Sequence, residues 1–349
     1  MIHALQHVGL GTNDVVSTWK FYKEQLGFRF EMGEEEYPVW ELKPMFGREP
    51  RMRIHNSFNP RGGPTLELFE HRDTPPREPP GPAGWADLGL LELGIEVEDL
   101  DGYIERSRGT KVQINGNPSE LRVDSRERWR RVRFAGPEGV WIELLERQSG
   151  DPSLPRSRRR ASTLGAFVRG ISHVAIGVSD LGRSEAFWAL LGFDRKILEE
   201  SLDPRSAAPV HAFLGEMTTS WLGRSRGSGG RLSSLDGGMI KLVHCRGGRR
   251  RNVFEGRRFG DPGITEVALD ASDVWGEFER LTASGARPLV PPVKFDWGFG
   301  PSGTLAYLAD PDGVVIELVD LARMFWLSPR WLDRLVLRPA RFLSRRGLI

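Results

Sequence analysis

The sequence predicts an α+β fold in which one module of a strand, a helix and further strands is repeated four times. Three observations support this prediction: four segments open with the same apolar strand pattern, each continues through an aspartate into an amphipathic helical stretch, and each ends in a short strand pattern. A doubly wound sheet would alternate strands and helices throughout the chain, which this sequence does not do. We therefore expect four βαβββ modules.

The first strand of each module alternates between an apolar face and a face that carries one ionisable residue. A very small residue follows two positions later on the same face. The pairs are His7 with Gly9, Glu92 with Gly94, His173 with Ala175, and Glu266 with Ala268. A polar group beside a very small residue indicates a concave surface with room for a ligand.

An aspartate precedes each predicted helix and a glycine follows it. The aspartates are Asp14, Asp99, Asp180 and Asp273, and the glycines are Gly27, Gly109, Gly192 and Gly285. Aspartate favours helix N-caps and glycine favours the left-handed conformation that ends many helices. The pattern therefore fixes the position of each helix directly after the first strand.

The last strand of each module places a charged residue between apolar neighbours. These residues are Glu67, Glu143, Lys241 and Glu317, and the turn sequences Gly136 to Gly139 and Asp310 to Gly313 precede two of the strands. A buried carboxylate without a partner costs several kcal/mol, so a metal ion, an arginine or solvent must satisfy it. One histidine with two or three carboxylates is a coherent set of ligands for a divalent ion. Ion pairs with Arg122, Arg131 or Arg133 are the alternative.

The modules suggest two domains with a linker between them. We expect an N-terminal domain at 1–149 (modules about 3–72 and 88–147), an exposed Pro/Arg-rich linker at 150–169, and a C-terminal domain at 170–320 (modules about 170–246 and 262–320). Residues 321–349 form a basic amphipathic extension that contains seven arginines and one acidic residue. We expect this extension to dock onto the body of the protein rather than onto a membrane.

Composition excludes several classes of protein. The 49 basic and 47 acidic residues leave a net charge of +2, which argues against a nucleic-acid-binding protein. Cys245 is the single cysteine, so neither an intrachain disulfide nor a thiolate metal cluster is expected. The sequence has no apolar run long enough to span a membrane and no signal-peptide pattern at its start, and we expect a cytoplasmic protein.

The four modules, with their first-strand histidines or glutamates and a glutamate within Ile-Glu-Leu in two of the last strands, resemble the vicinal oxygen chelate superfamily. This superfamily includes glyoxalase I, extradiol dioxygenases and bleomycin resistance proteins. The resemblance covers about residues 3–147 and 170–320, and the segment from Ala309 to Leu318 is especially typical.

The resemblance implies that modules pair into two cup-shaped mixed sheets whose first and last strands supply metal ligands. The ligand positions fall on His7, Glu67, Glu92 and Glu143 in an N-terminal cup, and on His173, Lys241, Glu266 and Glu317 in a C-terminal cup. The implied cofactor is a divalent ion such as Fe, Mn, Zn, Ni or Co. Because a protonated lysine repels a metal ion, Lys241 slightly favours the N-terminal cup as the metal site. The resemblance points the other way, since four-module relatives more often keep their chemistry in the C-terminal half, and both cups stay candidates.

The implied activity is that of an enzyme whose metal chelates adjacent oxygens of a small organic substrate. Glu67 or Glu143 is the candidate general base, and the Tyr307 phenol either donates to a substrate oxygen or belongs to the core. The four-module length resembles the extradiol dioxygenases, and this activity is our first expectation. The alternative is a glyoxalase- or epimerase-like lyase or isomerase that needs no oxygen, which the glutamate-rich ligands fit better. A metal-free binding protein of the resistance type is a third possibility, and a homo-oligomer is compatible with each.

Overall fold

The computed structural model describes most of the chain. The described residues are 1–79, 81, 83–114, 116–125, 127–149, 163–202, 215–225, 238–247, 250–296, 302–323, 327 and 329–345. Most of the expected linker, residues 150–162, lies outside them, as do residues 324–326, 328 and 346–349 of the C-terminal extension.

Four βαβββ modules follow one another along the chain, as the sequence predicts. The first contains β1 (Ile2–Gly11), α1 (Val15–Leu26), β2 (Phe30–Pro38), a 3₁₀ turn (Trp40–Leu42), α2 (Lys43–Phe46), β3 (Arg51–Phe58) and β4 (Thr65–His71). The second contains β5 (Gly89–Val97), α3 (Leu100–Ser107), β6 (Ser119–Arg122), β7 (Glu127–Ala135) and β8 (Trp141–Ser149). The third contains β9 (Val168–Gly177), α4 (Leu181–Leu190), β10 (Arg195–Leu202), β11 (Met217–Gly223) and β12 (Met239–Cys245). The fourth contains β13 (Gly263–Ala271), α5 (Val274–Ala283), β14 (Arg287–Asp296), β15 (Ser302–Ala309) and β16 (Val315–Arg323).

The predicted aspartates cap the helices that follow the first strands. The Asp14 carboxylate accepts hydrogen bonds from the backbone N–H groups of Val16 and Ser17 at the start of α1. Asp99, Asp180 and Asp273 each accept one from the third residue after them. Gly27 ends α1 in the left-handed conformation, with φ of 72°, and its N–H donates to the Tyr22 carbonyl. Local sequence thus decides where these helices begin.

The modules pair into two eight-stranded mixed sheets, but not in the order that the sequence suggested. The strand orders are β14-β15-β16-β13-β1-β4-β3-β2 and β10-β11-β12-β9-β5-β8-β7-β6. The first module therefore pairs with the fourth through antiparallel β1 and β13, and the second pairs with the third through antiparallel β5 and β9. The expectation that each half of the chain forms its own cup is wrong, because backbone pairing joins strands from opposite halves.

Along the first strand of each module, side chains point alternately into the apolar core and towards the candidate site. Val8, Ile95, Val174 and Val267 belong to one large apolar cluster that runs through all four modules. The opposite faces carry the ionisable residues, which point into the concave side of each sheet. Burying the apolar faces therefore fixes the direction of the charged side chains as well.

The two segments outside the modules are more closely packed than the sequence suggested. The end of the expected exposed linker forms a 3₁₀ turn (Leu164–Phe167), and Leu164, Phe167 and Val168 are buried in the large apolar cluster. The C-terminal extension forms α6 (Pro329–Leu332), a π-helical turn (Asp333–Leu337) and α7 (Arg338–Arg345). Leu332 and Leu337 pack into a second apolar cluster together with residues of the first and fourth modules. Among the described residues, no helix combines the length and the apolar composition needed to cross a bilayer.

The cross-pairing predicts that the two halves of the chain depend on each other. We expect fragments 1–149 and 163–349, when produced alone, to aggregate or to self-associate, because β1 and β5 each lose a paired strand. Produced together, they should purify as a one-to-one complex with a single cooperative unfolding transition. A monomeric, cooperatively folded single half, measured by sedimentation and thermal unfolding, would contradict this expectation.

Candidate metal centre

The first sheet brings four ligand candidates together on its four central strands. The four residues are His7 on β1, Glu67 on β4, Glu266 on β13 and Glu317 on β16. Each offers one ligand atom, and these atoms lie within 4.8 Å of one another. We call this group the His7 cluster. It takes two residues from the first module and two from the fourth.

The imidazole of His7 faces the three carboxylates. Its Nε2 lies 3.0 Å from Glu67 Oε2, 3.0 Å from Glu317 Oε2 and 3.6 Å from Glu266 Oε1. The other ring nitrogen, Nδ1, contacts Gln6 Oε1, which orients the ring. Asn56 on β3 donates a hydrogen bond to Glu67 Oε1 at 2.9 Å. Side chains outside the cluster therefore hold the direction of two of its members.

Burial and mutual proximity shift the pKa values within the His7 cluster. Burial alone would lower the pKa of His7, but Glu67, Glu266 and Glu317 raise it well above its ordinary value. Burial raises the pKa of Glu266 to about 8, with Glu317 and Glu67 adding to the shift and His7 opposing it. Burial also raises the pKa of Glu317, whereas His7 and Asn56 overcome the effect of burial on Glu67 and lower its pKa. Three carboxylates thus share the positive charge of one imidazolium.

The His7 cluster fits a divalent metal ion. Both carboxylate oxygens of Glu266 are buried and accept no hydrogen bond from the described residues. A buried oxygen that accepts no hydrogen bond lowers the stability of the fold, and a bound cation removes this penalty by interacting with the oxygen directly. One imidazole nitrogen with carboxylate oxygens from three glutamates is a donor set for Mn, Fe, Co, Ni or Zn.

A cavity of about 350 Å³ opens beside the His7 cluster. Its walls come from the first and fourth modules, and His7, Glu67 and Glu317 reach it directly. Half of the remaining lining residues are apolar: Met32, Val39, Leu42, Ile54, Phe69, Phe295, Leu305, Val319 and Leu321. A small organic molecule can therefore lie against the cluster.

Two tyrosines also line this cavity. Tyr307 on β15 lies directly opposite Glu317 on β16. Burial raises the pKa of Tyr307 well above its ordinary value, and the charges of Glu266, Glu317 and Glu67 add to this shift. Its phenol therefore keeps its proton and can donate a hydrogen bond. Tyr37 on β2 has a raised pKa for the same reasons, with burial the largest and Glu41 the next. Sequence reasoning missed Tyr37, because a tyrosine in an exposed, acidic edge strand gives no signal that it faces a ligand.

The second sheet gathers the equivalent positions, but with a lysine among them. The group contains Glu92 on β5, Glu143 on β8 and His173 on β9, and one ligand atom of each lies within 4.8 Å of the others. Lys241 on β12 occupies the position that Glu67 occupies in the first sheet. The Lys241 Nζ donates to Glu92 Oε1 at 2.8 Å and to Glu143 Oε2 at 2.7 Å. These four side chains and Arg133 form what we call the Lys241 cluster.

The carboxylates of the Lys241 cluster are paired with cations of the chain. Arg133 contacts Glu92 through Nε and donates to Glu143 Oε2 through Nη2 at 2.7 Å. Although burial opposes ionisation, Arg133 and Lys241 lower the pKa of both glutamates. Burial lowers the pKa of His173. The expected salt-bridge alternative with Arg133 therefore describes this cluster, and the two bound cations disfavour both a metal ion and the predicted base role of Glu143.

The sequence identified every member of both clusters but assigned half of them to the wrong partners. The expected set of His7, Glu67, Glu92 and Glu143 does not form, because module pairing separates Glu92 and Glu143 from His7. The expected set of His173, Lys241, Glu266 and Glu317 is divided in the same way. Each observed cluster instead contains one histidine, two glutamates from another module, and either Glu67 or Lys241.

Gly9 makes room for the His7 cluster, and its replacement should displace a ligand. A Cβ at this position would lie 2.6 Å from Cγ and Oε1 of Glu266. We expect Gly9→Ala to weaken zinc binding at least tenfold, measured by competition with a chromophoric chelator. The matched variant Gly94→Ala, whose Cβ would lie 2.0 Å from His173 Nδ1, should lower stability without weakening zinc binding. Equal zinc affinity in Gly9→Ala and the unaltered chain would contradict the assignment.

Replacing Lys241 should lower the stability of the fold. We expect Lys241→Met to lower the free energy of unfolding by about 3 kcal/mol, because it leaves buried carboxylate charge with fewer cations. Lys196→Met is the control, since Lys196 is largely exposed and its pairs with Glu185 and Glu199 contribute at most about 1 kcal/mol. Urea denaturation measures both, and equal losses would show that the Lys241 pairs contribute no more than surface pairs.

Comparisons with known proteins agree with this architecture. The family model described as the Glyoxalase/Bleomycin resistance protein/Dioxygenase superfamily matches residues 4–144 and 170–318. A comparison with curated protein sequences finds no match.

Two solved structures resemble the chain over nearly its whole length. Glyoxalase I from Zea mays has a TM-score of 0.57 at 16% identity and covers 91% of this chain and 92% of its own. A putative dioxygenase from Bacillus subtilis subsp. subtilis str. 168 has a TM-score of 0.57 at 13% identity and covers 100% of this chain and 97% of its own. At these identities the likeness concerns the fold. The match of the family model to both halves places the chain in the Glyoxalase/Bleomycin resistance protein/Dioxygenase superfamily.

Proposed function

We propose that the chain is a metal-dependent enzyme that moves a proton on a small organic substrate, as a lyase or isomerase of this superfamily. The observation that carries the proposal is the His7 cluster at the wall of a cavity, with one histidine and three glutamates converging. His7, Glu67, Glu266 and Glu317 would hold one divalent ion. When bound, such an ion polarises substrate oxygens and stabilises the negative charge that develops when a neighbouring proton leaves.

The residues of the cavity divide the remaining work. Glu67 and Glu317 line the cavity and are the candidates for proton transfer, whereas Glu266 lies behind them as a ligand. Tyr307, beside Glu317, keeps its phenolic proton and donates to a substrate oxygen. The apolar walls exclude water and bind the body of the substrate. The predicted roles of Glu67 and Tyr307 are therefore kept, and that of Glu143 is given up.

The composition of the His7 cluster favours this chemistry over ring cleavage by oxygen. Oxygen-activating iron sites of the facial-triad type use two histidines and one carboxylate. The His7 cluster has one histidine and three carboxylates, a harder set of donors suited to a Lewis acid that keeps its oxidation state. The dioxygenase activity suggested by the four-module length stays a prediction, which oxygen uptake with catechols would test.

Metal analysis of matched variants tests the proposal. We expect about one equivalent of zinc or manganese per chain after loading, and less than about a tenth of an equivalent in Glu317→Gln, which removes a ligand charge from the His7 cluster. Glu143→Gln, the equivalent change in the Lys241 cluster, should retain the full equivalent. Elemental analysis of desalted protein measures all three, with circular dichroism to check folding. Loss of metal in Glu143→Gln with retention in Glu317→Gln would reverse the assignment.

The resistance-type alternative gives a different result. A binding protein without a metal would bind its small-molecule ligand equally well after treatment with a chelator, whereas the proposed enzyme would lose affinity for oxygen-chelating ligands. Thermal stabilisation by 4-ethylcatechol with and without chelator distinguishes the two.

A further inference from the structure

Apart from His7, the ionisable side chains with a strong charge that line the cavity beside the His7 cluster are all acidic. Five carboxylates line it: Glu34, Glu35, Glu41, Glu67 and Glu317. Neither a lysine nor an arginine is found among the described residues that line it. Glu34 and Glu35 are exposed on edge strand β2, while Glu41 is buried next to the cavity wall.

Among the described residues, arginines and lysines cluster at other places, apart from Arg53, which pairs with Glu34. The Lys241 cluster contains two of them at positions equivalent to the cavity side of the first sheet. A separate polar cleft of about 550 Å³ is lined by Arg61, Arg147, Arg169 and Arg341. The chain has 49 lysines and arginines, so the acidic lining of this cavity does not follow from a shortage of basic residues.

A metal ion does not remove the negative charge of the cavity. Three ligand glutamates and a neutral histidine leave one negative charge around a divalent ion. Glu35, which also lines the cavity, adds to this charge, whereas the Glu34 carboxylate is paired with Arg53. In a partly buried site with apolar walls, charges interact more strongly than in bulk water. No lysine or arginine is among the described residues that line the cavity, so an anionic group on a ligand would meet repulsion there, whereas an apolar or cationic group would not.

We infer that this cavity selects an apolar substrate that carries no negative charge apart from the oxygens it presents to the metal. The inference rests on the proposed function, since it assigns the cavity as the substrate site. A cavity of about 350 Å³ lies near the lower end of the range for small-molecule pockets, roughly 300–1,000 Å³, so the substrate is compact. Substrates joined to a polyanionic carrier, such as an acidic peptide thiol or a phosphorylated coenzyme, are excluded as a class.

Three matched compounds test the inference: 4-ethylcatechol is uncharged, dopamine carries an ammonium, and 3,4-dihydroxyphenylacetate carries a carboxylate. All three present two adjacent oxygens on one ring with a two-carbon side chain. Calorimetric titration of the full chain loaded with zinc gives each Kd, and the zinc content is measured on the same sample. We expect 4-ethylcatechol and dopamine to bind at least tenfold more tightly than 3,4-dihydroxyphenylacetate. Equal or tighter binding of the carboxylate, or binding of none of the three, would overturn the inference.

Charge variants locate the effect in the cavity. Glu35→Lys should narrow the difference between 4-ethylcatechol and 3,4-dihydroxyphenylacetate at least threefold, because Glu35 lines the cavity mouth. Glu120→Lys is the control, since Glu120 is exposed on β6, an edge strand of the second sheet, and it should leave the difference unchanged. Equal effects of the two variants would refute the local origin of the selectivity.

The design separates this inference from the proposed function. If the chain takes up no zinc, the proposed function fails, and the same three compounds are then titrated against the metal-free chain. A preference against the carboxylate in that form would still support the inference, and its absence would overturn it. If zinc binds but the ranking is reversed, the inference fails while the metal centre stands.

Discussion

A carboxylate buried on the inner face of a β-sheet requires positive charge beside it, and this requirement governs both sheets of the protein. In each sheet, two glutamates from one module meet a histidine from another at fully or largely buried positions. The residue that completes the group differs: Lys241 in one sheet and Glu67 in the other. A cation of the chain satisfies the first group, whereas the third glutamate of the second group, Glu67, leaves its carboxylates with His7 as their partner within the cluster.

The residues around the two clusters also differ between the two sheets. Trp85 and Trp221 pack over the Lys241 ammonium, with ring centroids 5.1 and 4.9 Å from Nζ. Large aromatic rings thus cover the cluster whose charges are already paired. Beside the His7 cluster, Tyr37 and Tyr307 stand at the wall of a cavity instead. Aromatic rings therefore cover the Lys241 cluster, whereas the His7 cluster borders a cavity.

Strand pairing between opposite halves of the chain makes each cluster a joint product of both halves. Because β1 pairs with β13, Gly9 lies opposite Glu266, and because β1 also pairs with β4, Gly9 lies beside Glu67. Gly94 has the same position between Glu143 and His173 in the other sheet. A small residue at the centre of each sheet therefore lets two charged side chains approach, which explains the pairing of ionisable and very small residues along the first strands.

The sequence by itself determined the repeated module, the start of each helix and the identity of the cluster residues, because period-two alternation and aspartate caps depend on neighbouring residues in the chain. It also indicated the special status of Lys241, since a lysine replaces a carboxylate at an equivalent position. Only the tertiary structure decided that His7 meets Glu266 and Glu317 rather than Glu92 and Glu143. All four first strands have the same apolar face and the same polar face, so either pairing buries equivalent surface, and local pattern cannot distinguish between them. The place of Tyr37 at the cavity was decided in the same way, because an edge strand becomes a cavity wall only when the sheet curls around the site.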